Sequence, residues 1–333
     1  MGNININSGR MVVAAKPGRT LLAALTEGKV FIPSACGGQG RCGLCAVKVT
    51  GGPDAPLTPP EKALLPAESQ GLGMRLSCQV KTEADLSIEI PEEYFSIRRY
   101  SGKLVKKIPM TRDILNLHIK LLPGQAMEFK AGQYIQLRSP AYDGATPVMR
   151  AYSLASPPSQ KELLELVVRR VGSGICTTWI FDHLKEGDLV QVSGPYGKFC
   201  LTCTTAPIIM IAGGSGMAPM LSLLKEIREK KMPQRVVFFF GAQRREDLFK
   251  LDELAAFEKA LPDFTFVPVL SNEPLTSDWP GQRGLVTDVA AKRMDDLSGF
   301  EAYLCGSPGM IAACIRMLKS KGIPEERILY DKF

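Results

Sequence analysis

The stretch that decides the fold is CGGQGRCGLC, residues 36–45, in which three cysteines and four glycines fall within ten positions. Cys36, Cys42 and Cys45 are spaced C-x5-C-x2-C, and Cys78 follows after a long gap inside MRLSCQV. The chain begins with MGNININSGR, which lacks the apolar core of a secretory signal. Because disulfides are rare in chains without such a signal, the clustered cysteines predict a metal centre.

Three kinds of site accept cysteines in this arrangement: a [2Fe–2S] cluster, a zinc ion and a redox dithiol. A [2Fe–2S] cluster needs four thiolates, and glycines let the backbone wrap closely around it and direct N–H groups at the sulfurs. Structural zinc sites usually come as two short C-x2-C pairs. A thioredoxin-like CGLC would need a βαβ context that is missing here. The pattern therefore favours a [2Fe–2S] cluster held by Cys36, Cys42, Cys45 and Cys78.

The segments around this loop predict a small sheet crossed by one helix, which is the outline of a β-grasp fold. INI, MVVAA, CAVKV and LSIEI are typical of short strands, and RTLLAALTEG predicts a helix that ends at Gly28. Over about residues 3–90 the sequence resembles plant-type [2Fe–2S] ferredoxins, whose usual C-x4-C-x2-C is one residue shorter. The five-residue form is similar to the F subunit of the sodium-translocating NADH:quinone reductase and to a few corrinoid-activating ferredoxins.

The middle of the chain, after a linker at 91–100, predicts a small antiparallel barrel. It contains RAYS at 150–153 and GICTTWIFDHLKEGD at 174–188, which predicts a helix from Gly174 to Gly187. A helix N-terminus with threonine hydroxyls suits a pyrophosphate, to which Arg150 can add a charge. Tyr152 can lie against an aromatic ring, and Ser153 can hydrogen-bond a flavin nitrogen. Each motif alone is also typical of an N-cap or of a core tyrosine.

Together with GPYG at 194–197, these motifs resemble the ferredoxin–NADP reductase superfamily, from about Gly102 to the last residue. The resemblance implies FAD contacts at Arg150, Tyr152, Ser153, Val168, Arg169, Gly174 and Thr177.

The last third of the chain alternates strands and helices, which predicts a doubly wound parallel sheet. PIIMIAGGSGMAPMLSLLKEI, residues 207–227, predicts a strand, a glycine turn and a helix whose amides can approach a phosphate. GGSGMAP and CGSPGM are similar to the nicotinamide domain of the same superfamily. That resemblance implies coenzyme contacts at Gly213, Gly214, Gly216, Met217 and Gly306, and Cys305 beside the nicotinamide. It also makes Phe333 or Tyr330 a flavin shield, with a strand end packed in a core as the alternative.

The coenzyme is indicated by GAQRR at 241–245. NADPH-using relatives usually show Ser-Arg after the second strand, so the missing serine favours NADH. Arg244 and Arg245 nevertheless offer two charges that could hold a 2′-phosphate.

Charge and composition exclude several classes of protein. The net charge of +7 comes from residues 94–333, with 32 Lys/Arg against 25 Asp/Glu, and indicates attraction for phosphate-bearing cofactors and acidic partners. We find no basic run with interleaved aromatics, which disfavours nucleic acid, and no uninterrupted apolar stretch of membrane-spanning length. We expect a cytoplasmic chain that does not insert into a membrane, with attachment to the periphery of the inner membrane as an alternative.

These predictions combine into an α+β protein of three domains: a β-grasp ferredoxin (1–93), an FAD-binding barrel (94–203) and an α/β nucleotide domain (204–333). The resemblance implies that a hydride passes from NADH to FAD and that single electrons then pass to the [2Fe–2S] cluster and on to a partner. Ser153, Cys305 and Phe333 are the implied catalytic residues. The partner could be a membrane quinone reductase complex, an oxygenase or a corrinoid protein. The alternative, a non-enzymatic redox sensor or relay, is disfavoured by the intact glycine turn and Cys305. Cys200 and Cys203 are interpreted as structural.

Overall fold

A computed structural model of the chain describes residues 2–332. The chain divides into two compact units. The first comprises Met1–Tyr100, Ile135–Ala151 and Gln191–Tyr196, and the second comprises Ser101–Tyr134, Tyr152–Val190 and Gly197–Phe333. The domain boundaries after residues 93 and 203 stay predictions.

The N-terminal hundred residues form the β-grasp that the sequence predicts. Its elements are β1 (Gly2–Ile6), β2 (Met11–Ala15), α1 (Leu21–Glu27), β3 (Ala46–Gly51), α2 (Pro59–Leu64), α3 (Ala67–Gly71), β4 (Met74–Leu76) and β5 (Leu86–Glu89). The sheet order is β2-β1-β5-β3-β4, in which β1 and β5 are parallel and the β1–β2, β3–β5 and β3–β4 pairs are antiparallel. Leu21 and Leu25 of α1 are buried against Ile4 and Ile6, so burial of alternating strand residues fixes the helix on the sheet.

The segment 91–100, expected to be a linker, is ordered against this core. It forms a 3-10 turn at Glu92–Ser96 and then enters β6 (Arg98–Pro109). Tyr94 and Phe95 pack against the N-terminal core, and the Arg10 guanidinium lies over the Phe95 ring. Two aromatic side chains thus attach this segment to the β-grasp.

The middle of the chain forms an antiparallel near-barrel sheet. It continues with β7 (Ile114–Leu121), β8 (Tyr134–Arg138), β9 (Met149–Ser153), β10 (Leu163–Arg169), α4 (Ile175–Thr178) and β11 (Leu189–Tyr196). The sheet order is β10-β7-β6-β11-β8-β9. An isolated bridge joins Leu154, just after β9, to Leu166 of β10, so the two edge strands approach each other and nearly close the sheet.

The helix that Gly174 opens is shorter than predicted. α4 continues as one π-helical segment, Trp179–His183, and Leu184 is its C-cap. Gly187 instead lies in the next turn, with φ +95° and its N–H donating to the carbonyl of Leu104. The prediction that Gly187 ends this helix was therefore wrong, because its left-handed backbone serves the turn into β11.

The last third is a doubly wound α/β sheet, as predicted. Its elements are β12 (Ile208–Gly213), α5 (Met217–Glu229), β13 (Val236–Ala242), α6 (Leu251–Ala260), β14 (Phe264–Leu270), β15 (Gln282–Arg283), α7 (Val286–Arg293), β16 (Glu301–Gly306), α8 (Pro308–Ser320) and β17 (Ile328–Lys332). The strands are parallel in the order β15-β14-β13-β12-β16-β17. Separate cores cover the two faces, one containing α5 and α6 and the other α7 and α8.

Burial on both faces explains why β13 carries an unbroken apolar run rather than an alternating pattern. Phe238 and Phe240 point into one core, and Phe239 points into the other. Within residues 2–332, none of the helices combines the length and the apolar character needed to cross a membrane.

Candidate redox site and coenzyme pocket

The four predicted cluster ligands come together in the first unit. Cys36, Cys42 and Cys45 lie on the loop between α1 and β3, and Cys78 lies just after β4. Cys45 and Cys78 are buried, whereas Cys36 and Cys42 are partly exposed. The pairing of β3 with β4 therefore brings Cys78, the remote fourth cysteine, to the loop.

The thiols form two pairs. The sulfurs of Cys42 and Cys36 are 3.4 Å apart. A hydrogen bond with Cys42 lowers the pKa of Cys36 to about 4, and a hydrogen bond with Cys45 lowers the pKa of Cys78 to about 6. The pKa values of Cys42 and Cys45 are raised by the same bonds. Each hydrogen bond thus favours the thiolate form, in which cysteine binds a metal, in one member of its pair.

This pairing tests which metal group the loop fits. Within residues 2–332, no three Cys, His, Asp or Glu side chains converge as ligands of a single ion. Two pairs of thiols suit a cluster with two irons, each of which takes two sulfurs, better than one tetrahedral zinc. The donor set of the loop therefore fits a [2Fe–2S] cluster.

Two neighbours of the cysteines were missed by sequence reasoning. Gln79 Nε2 lies 3.5 Å from the sulfur of Cys78 and can donate to it. Ser34 Oγ accepts a bond of 2.9 Å from the N–H of Gly38 and so fixes the start of the loop. Donors to a ligand sulfur tune the potential of a cluster, and the position of Gln79 directly after Cys78 was the signal available in the sequence.

Gly37 is the glycine that the loop needs most. Its φ is +67°, and a Cβ there would collide with the guanidinium of Arg150 and approach the carbonyl of Met149. Arg150 Nη1 donates to that carbonyl at 2.8 Å. The structure thus brings Arg150, expected at a flavin phosphate, against the backbone of the cysteine loop.

The other predicted flavin residues of the RAYS motif lie on β9, an edge strand of the middle sheet. All five of its side chains, including those of Tyr152 and Ser153, are half-buried, unlike the mostly buried side chains of β8 and β10. An edge strand accessible in this way fits a flat ligand such as a flavin ring. Val168 in β10 is fully buried, so its side chain belongs to the barrel core.

Thr177, at the start of α4, has its hydroxyl bonded within the chain. Its hydroxyl accepts from the N–H of Val171 at 3.2 Å and can donate to the carbonyls of Val171 and Gly174. The side chain is buried. The hydroxyl therefore closes the turn 171–174 and positions the helix start at Gly174, and the FAD contact of Thr177 stays a prediction.

The coenzyme turn between β12 and α5 is packed against β16. A Cβ on Gly216 would collide with the carbonyl oxygen of Cys305. Met217 and Cys305 are fully buried in the core under α5. Burial raises the pKa of the Cys305 thiol well above its ordinary value. Both side chains therefore pack behind the turn, and its backbone is left to meet the coenzyme.

A cavity of about 440 Å³ lies at the carboxyl ends of the parallel strands, where doubly wound sheets bind nucleotides. Gly213 and Gly214 line it, and Met310 of α8 lies beside Gly213 and Gly306. The further lining residues are Arg112, Asp113, Ile114, Arg169, Gly241, Ala242, Gln243, Asp247, Ser271, Gly284, Leu285, Val286, Thr287, Ser307, Gly309 and Ala313.

Arg169, expected at the flavin, lies in this coenzyme cavity. Its Nε donates to Asp113 Oδ2 at 2.8 Å, and its guanidinium faces Gly214. Thr111 Oγ1 in turn donates to Asp113 at 3.0 Å. Arg169 at the end of β10 and Arg112 in the turn between β6 and β7 thus bring two positive charges to the cavity beside the glycine turn.

A buried charge cluster links the barrel strand β10 to the nucleotide domain. We call it the Glu165 cluster, and it comprises Glu165, Lys225, Lys250 and Glu253. Glu165 accepts from Lys225 at 2.6 Å and from Lys250 at 2.8 Å, and Lys225 also donates to the carbonyl of Ala155. Burial would raise the pKa of Glu165, but the two lysines outweigh it and lower the pKa to about 2.

The expected flavin shield stays a prediction. Tyr330 lies on β17 and is about half-exposed, as a ring that covers a ligand could be. Phe333 lies outside the residues that the structure describes.

Comparison with known proteins assigns each part of the chain to a family. Residues 4–83 match a 2Fe-2S iron-sulfur cluster binding domain. Residues 101–200 match an oxidoreductase FAD-binding domain, and residues 210–316 match an oxidoreductase NAD-binding domain. The predicted fold class and the three cofactors, [2Fe–2S], FAD and NADH, are thereby confirmed.

Relatives with known names extend over the whole chain. The F subunit of the Na(+)-translocating NADH-quinone reductase of Neisseria meningitidis is 33% identical over 100% of this chain and 92% of the relative. The corresponding protein of Idiomarina loihiensis is 32% identical, covering 99% of this chain and 90% of the relative.

Two solved structures resemble the whole chain as well. The Amycolatopsis cytochrome P450 reductase GcoB has a TM-score of 0.81 at 32% identity and covers 100% of this chain and 99% of its own. The ferredoxin reductase in carbazole 1,9a-dioxygenase has a TM-score of 0.77 at 23% identity, covering 100% and 98%, and supports the fold alone.

Proposed function

Since the chain belongs to the ferredoxin reductase family that includes the F subunit of the Na(+)-translocating NADH-quinone reductase, we propose that it passes electrons from NADH to a protein acceptor through its cysteine loop. It is an NADH-dependent oxidoreductase, and its electrons pass through FAD and an iron–sulfur centre. Together, bound FAD and the cluster turn a two-electron hydride donor into a source of single electrons. The exposed position of Leu44, between Cys42 and Cys45, carries the proposal, because it leaves the cluster loop accessible to another protein.

The flavin residues have separate tasks in this proposal. Arg150 lies against the cysteine loop at Gly37 and would neutralise the pyrophosphate of bound FAD. Tyr152 would lie against the flavin ring, and Ser153 would hydrogen-bond it. Gly174 presents the start of the helix, which Thr177 holds in place.

The coenzyme residues orient NADH without acid–base chemistry. The backbone of Gly213, Gly214 and Gly216 admits the pyrophosphate, and Arg169, held by Asp113, supplies the opposing charge. Cys305 fixes the turn from behind, and Gly306 leaves room for Met310 at the edge of the cavity.

The proposed acceptor is a quinone reductase complex, supported by the names of the relatives that match the full chain. The proposed location is the cytoplasm, at the membrane face where such a complex lies. The similarity to a cytochrome P450 reductase over 99% of its length favours, as a second candidate, a reductase for an oxygenase.

An anaerobic NADH titration followed by visible absorption and low-temperature EPR tests the relay. We expect flavin bleaching together with the signal of a reduced [2Fe–2S] cluster. Cys78→Ser should remove the cluster signal and the reduction of one-electron protein acceptors while flavin bleaching persists. Cys203→Ser, at an exposed cysteine remote from the ligands in sequence, is the matched control.

Two outcomes would contradict the proposal. Absence of flavin bleaching in the wild-type protein would remove the NADH step, and full protein-acceptor reduction by Cys78→Ser would remove the cysteine loop from the route. The two acceptors are then distinguished by supplying the protein to vesicles whose quinone reductase lacks its own NADH-oxidising component and, separately, to a cytochrome P450.

A further inference from the structure

Arg245, the second of the two arginines after β13, is held by two carboxylates. Arg245 Nε lies 2.8 Å from Glu273 Oε1, and Arg245 Nη2 lies 2.6 Å from Asp278 Oδ1. The guanidinium also lies over the ring of Trp279, 5.5 Å from its centroid. We call Arg245, Glu273 and Asp278 the Arg245 cluster.

The loop that supplies these carboxylates is itself held in place. The Arg283 guanidinium donates to the carbonyl and hydroxyl of Ser277, at 3.1 and 3.0 Å. Trp279 Nε1 donates to the carbonyl of Gln282 at 3.2 Å. The loop is therefore built to present Glu273 and Asp278 to Arg245.

The loop also borders the coenzyme cavity. The N–H of Asn272, next to Glu273, donates to the carbonyl of Gln243 at 2.9 Å, and Gln243 lines the 440 Å³ cavity. In doubly wound sheets this edge receives the ribose of the adenosine, and an arginine here accommodates a 2′-phosphate.

The charge balance at this edge is negative. Its carboxylates are Glu246, Asp247, Glu273 and Asp278, and its cations are Arg244, Arg245 and Arg283. Arg244 faces Glu246 at 3.7 Å, and its backbone N–H donates to Asp247. A dianionic 2′-phosphate placed here would meet more negative than positive charge.

We propose that Glu273 and Asp278 determine the selectivity for NADH over NADPH by occupying Arg245, the side chain that would otherwise bind the 2′-phosphate. The selectivity rests on the proposed coenzyme site. The paired guanidinium is not available to attract the 2′-phosphate of NADPH, and the two carboxylates repel that phosphate. A ribose with a free 2′-hydroxyl requires no such cation and is accepted.

Binding of 2′,5′-ADP and of 5′-AMP, measured by calorimetry on the whole protein, tests this assignment separately from turnover. The variants are Glu273→Gln, Asp278→Asn and the double change, and Asp252→Asn removes an exposed carboxylate of α6 as the control. We expect the double change to raise the affinity for 2′,5′-ADP relative to 5′-AMP by about tenfold, the effect of one charge-assisted hydrogen bond. Adding Arg245→Leu should remove most of the gain and leave only the part that comes from lost repulsion, and Asp252→Asn should leave the ratio unchanged.

An unchanged ratio in the double variant, or a gain that Arg245→Leu does not reduce, would overturn the assignment. Asp278 is 91% exposed, so Asp278→Asn alone should fold and show part of the gain even if Glu273→Gln does not fold. The KM ratio for NADPH and NADH should move with the binding ratio. If the wild-type protein reduces its flavin with neither coenzyme, the proposed function fails, whereas an unaltered ratio in a protein that uses NADH refutes only the selectivity assignment.

Discussion

The Glu165 cluster and the Arg245 cluster contain the same kinds of ion pair, but they differ in burial. The side chains of Glu165 and Lys225 are 7% and 10% exposed. In the Arg245 cluster Glu273 is 8% exposed, but Asp278 and Arg245 are 91% and 39% exposed. The first cluster joins a barrel strand to two parts of the nucleotide domain, and the second joins two neighbouring loops at the coenzyme edge.

The difference teaches what each cluster can do. Breaking a buried pair leaves a charge without water or counter-charge, which costs much of the stability of a domain. Exposed pairs are screened and contribute little to stability. The Glu165 cluster is therefore suited to fixing the barrel strand against α5. The Arg245–Asp278 pair can be broken without unfolding the protein, as a selectivity device requires.

The largest expected effect is that of Glu165→Gln. It leaves Lys225 and Lys250 buried with less counter-charge, and it should lower the free energy of unfolding by about 3–5 kcal/mol. Urea unfolding followed by tryptophan fluorescence measures this, since the chain's two tryptophans, Trp179 and Trp279, lie in the same compact unit as the cluster. Glu162→Gln, at an exposed position, is the control. If Glu165→Gln lowers the free energy of unfolding no more than Glu162→Gln does, burial does not make the Glu165 cluster more important for stability than an exposed charge.

Acid should weaken the same cluster. Because the pKa of Glu165 is lowered to about 2 in the folded chain from an ordinary 4.5, its contribution is complete above pH 4.5 and is lost as the pH falls toward 2. The difference in unfolding free energy between wild type and Glu165→Gln should shrink by about 3 kcal/mol across this range. If the unfolding free energies of wild type and Glu165→Gln differ by the same amount from neutral pH to pH 2, the two lysines do not lower the pKa of Glu165 as assigned.

The ion pair between Glu61 and Arg75 in the β-grasp should give an intermediate loss of unfolding free energy when it is broken. Glu61 is fully buried and accepts from Arg75 Nε at 2.8 Å, from the N–H of Leu76 at 3.0 Å and from the N–H of Thr58 at 2.8 Å. Glu61→Gln keeps the shape but weakens these bonds, and it should cost about 2 kcal/mol. Loss of cluster absorption during urea unfolding reports it, with the exposed Glu68→Gln for comparison. An effect as small as that of Glu68→Gln would contradict the role of these bonds.

The smallest effect is expected for Asp278→Asn. Its exposed carboxylate is screened by water, so the urea midpoint should not change measurably. The same variant should shift the preference between 2′,5′-ADP and 5′-AMP. A marked loss of stability without a shift in that preference would reverse the contrast between the two clusters.

The sequence predicted those features that local patterns determine. The spacing of Cys36, Cys42 and Cys45 predicted a loop whose thiols lie together with Cys78, and the alternation of strands and helices predicted the doubly wound sheet. The glycine turn was predicted between a strand and a helix, and its Gly213 and Gly214 line the 440 Å³ cavity. In each case, neighbouring residues carry the physical constraint.

Contacts between distant residues could not be predicted in this way. Glu165 and Lys225 are 60 positions apart, and nothing near either residue indicates that both are buried. Arg169 was assigned to the flavin by resemblance, although Asp113, 56 positions earlier, holds it in the coenzyme cavity. The inward hydroxyl of Thr177 depends on the turn at Val171 and Gly174, whose backbone geometry the sequence does not specify.

The Glu165 cluster also limits how modules of this family can be recombined. A nucleotide domain that carries Lys225 and Lys250 and is transplanted onto a barrel without an acidic residue at position 165 would bury two ammonium groups facing only Glu253. Chimeras between such reductases should therefore fail at this joint even when each half folds well in its parent. The halves can be interchanged only if Glu165, Lys225 and Lys250 are exchanged together.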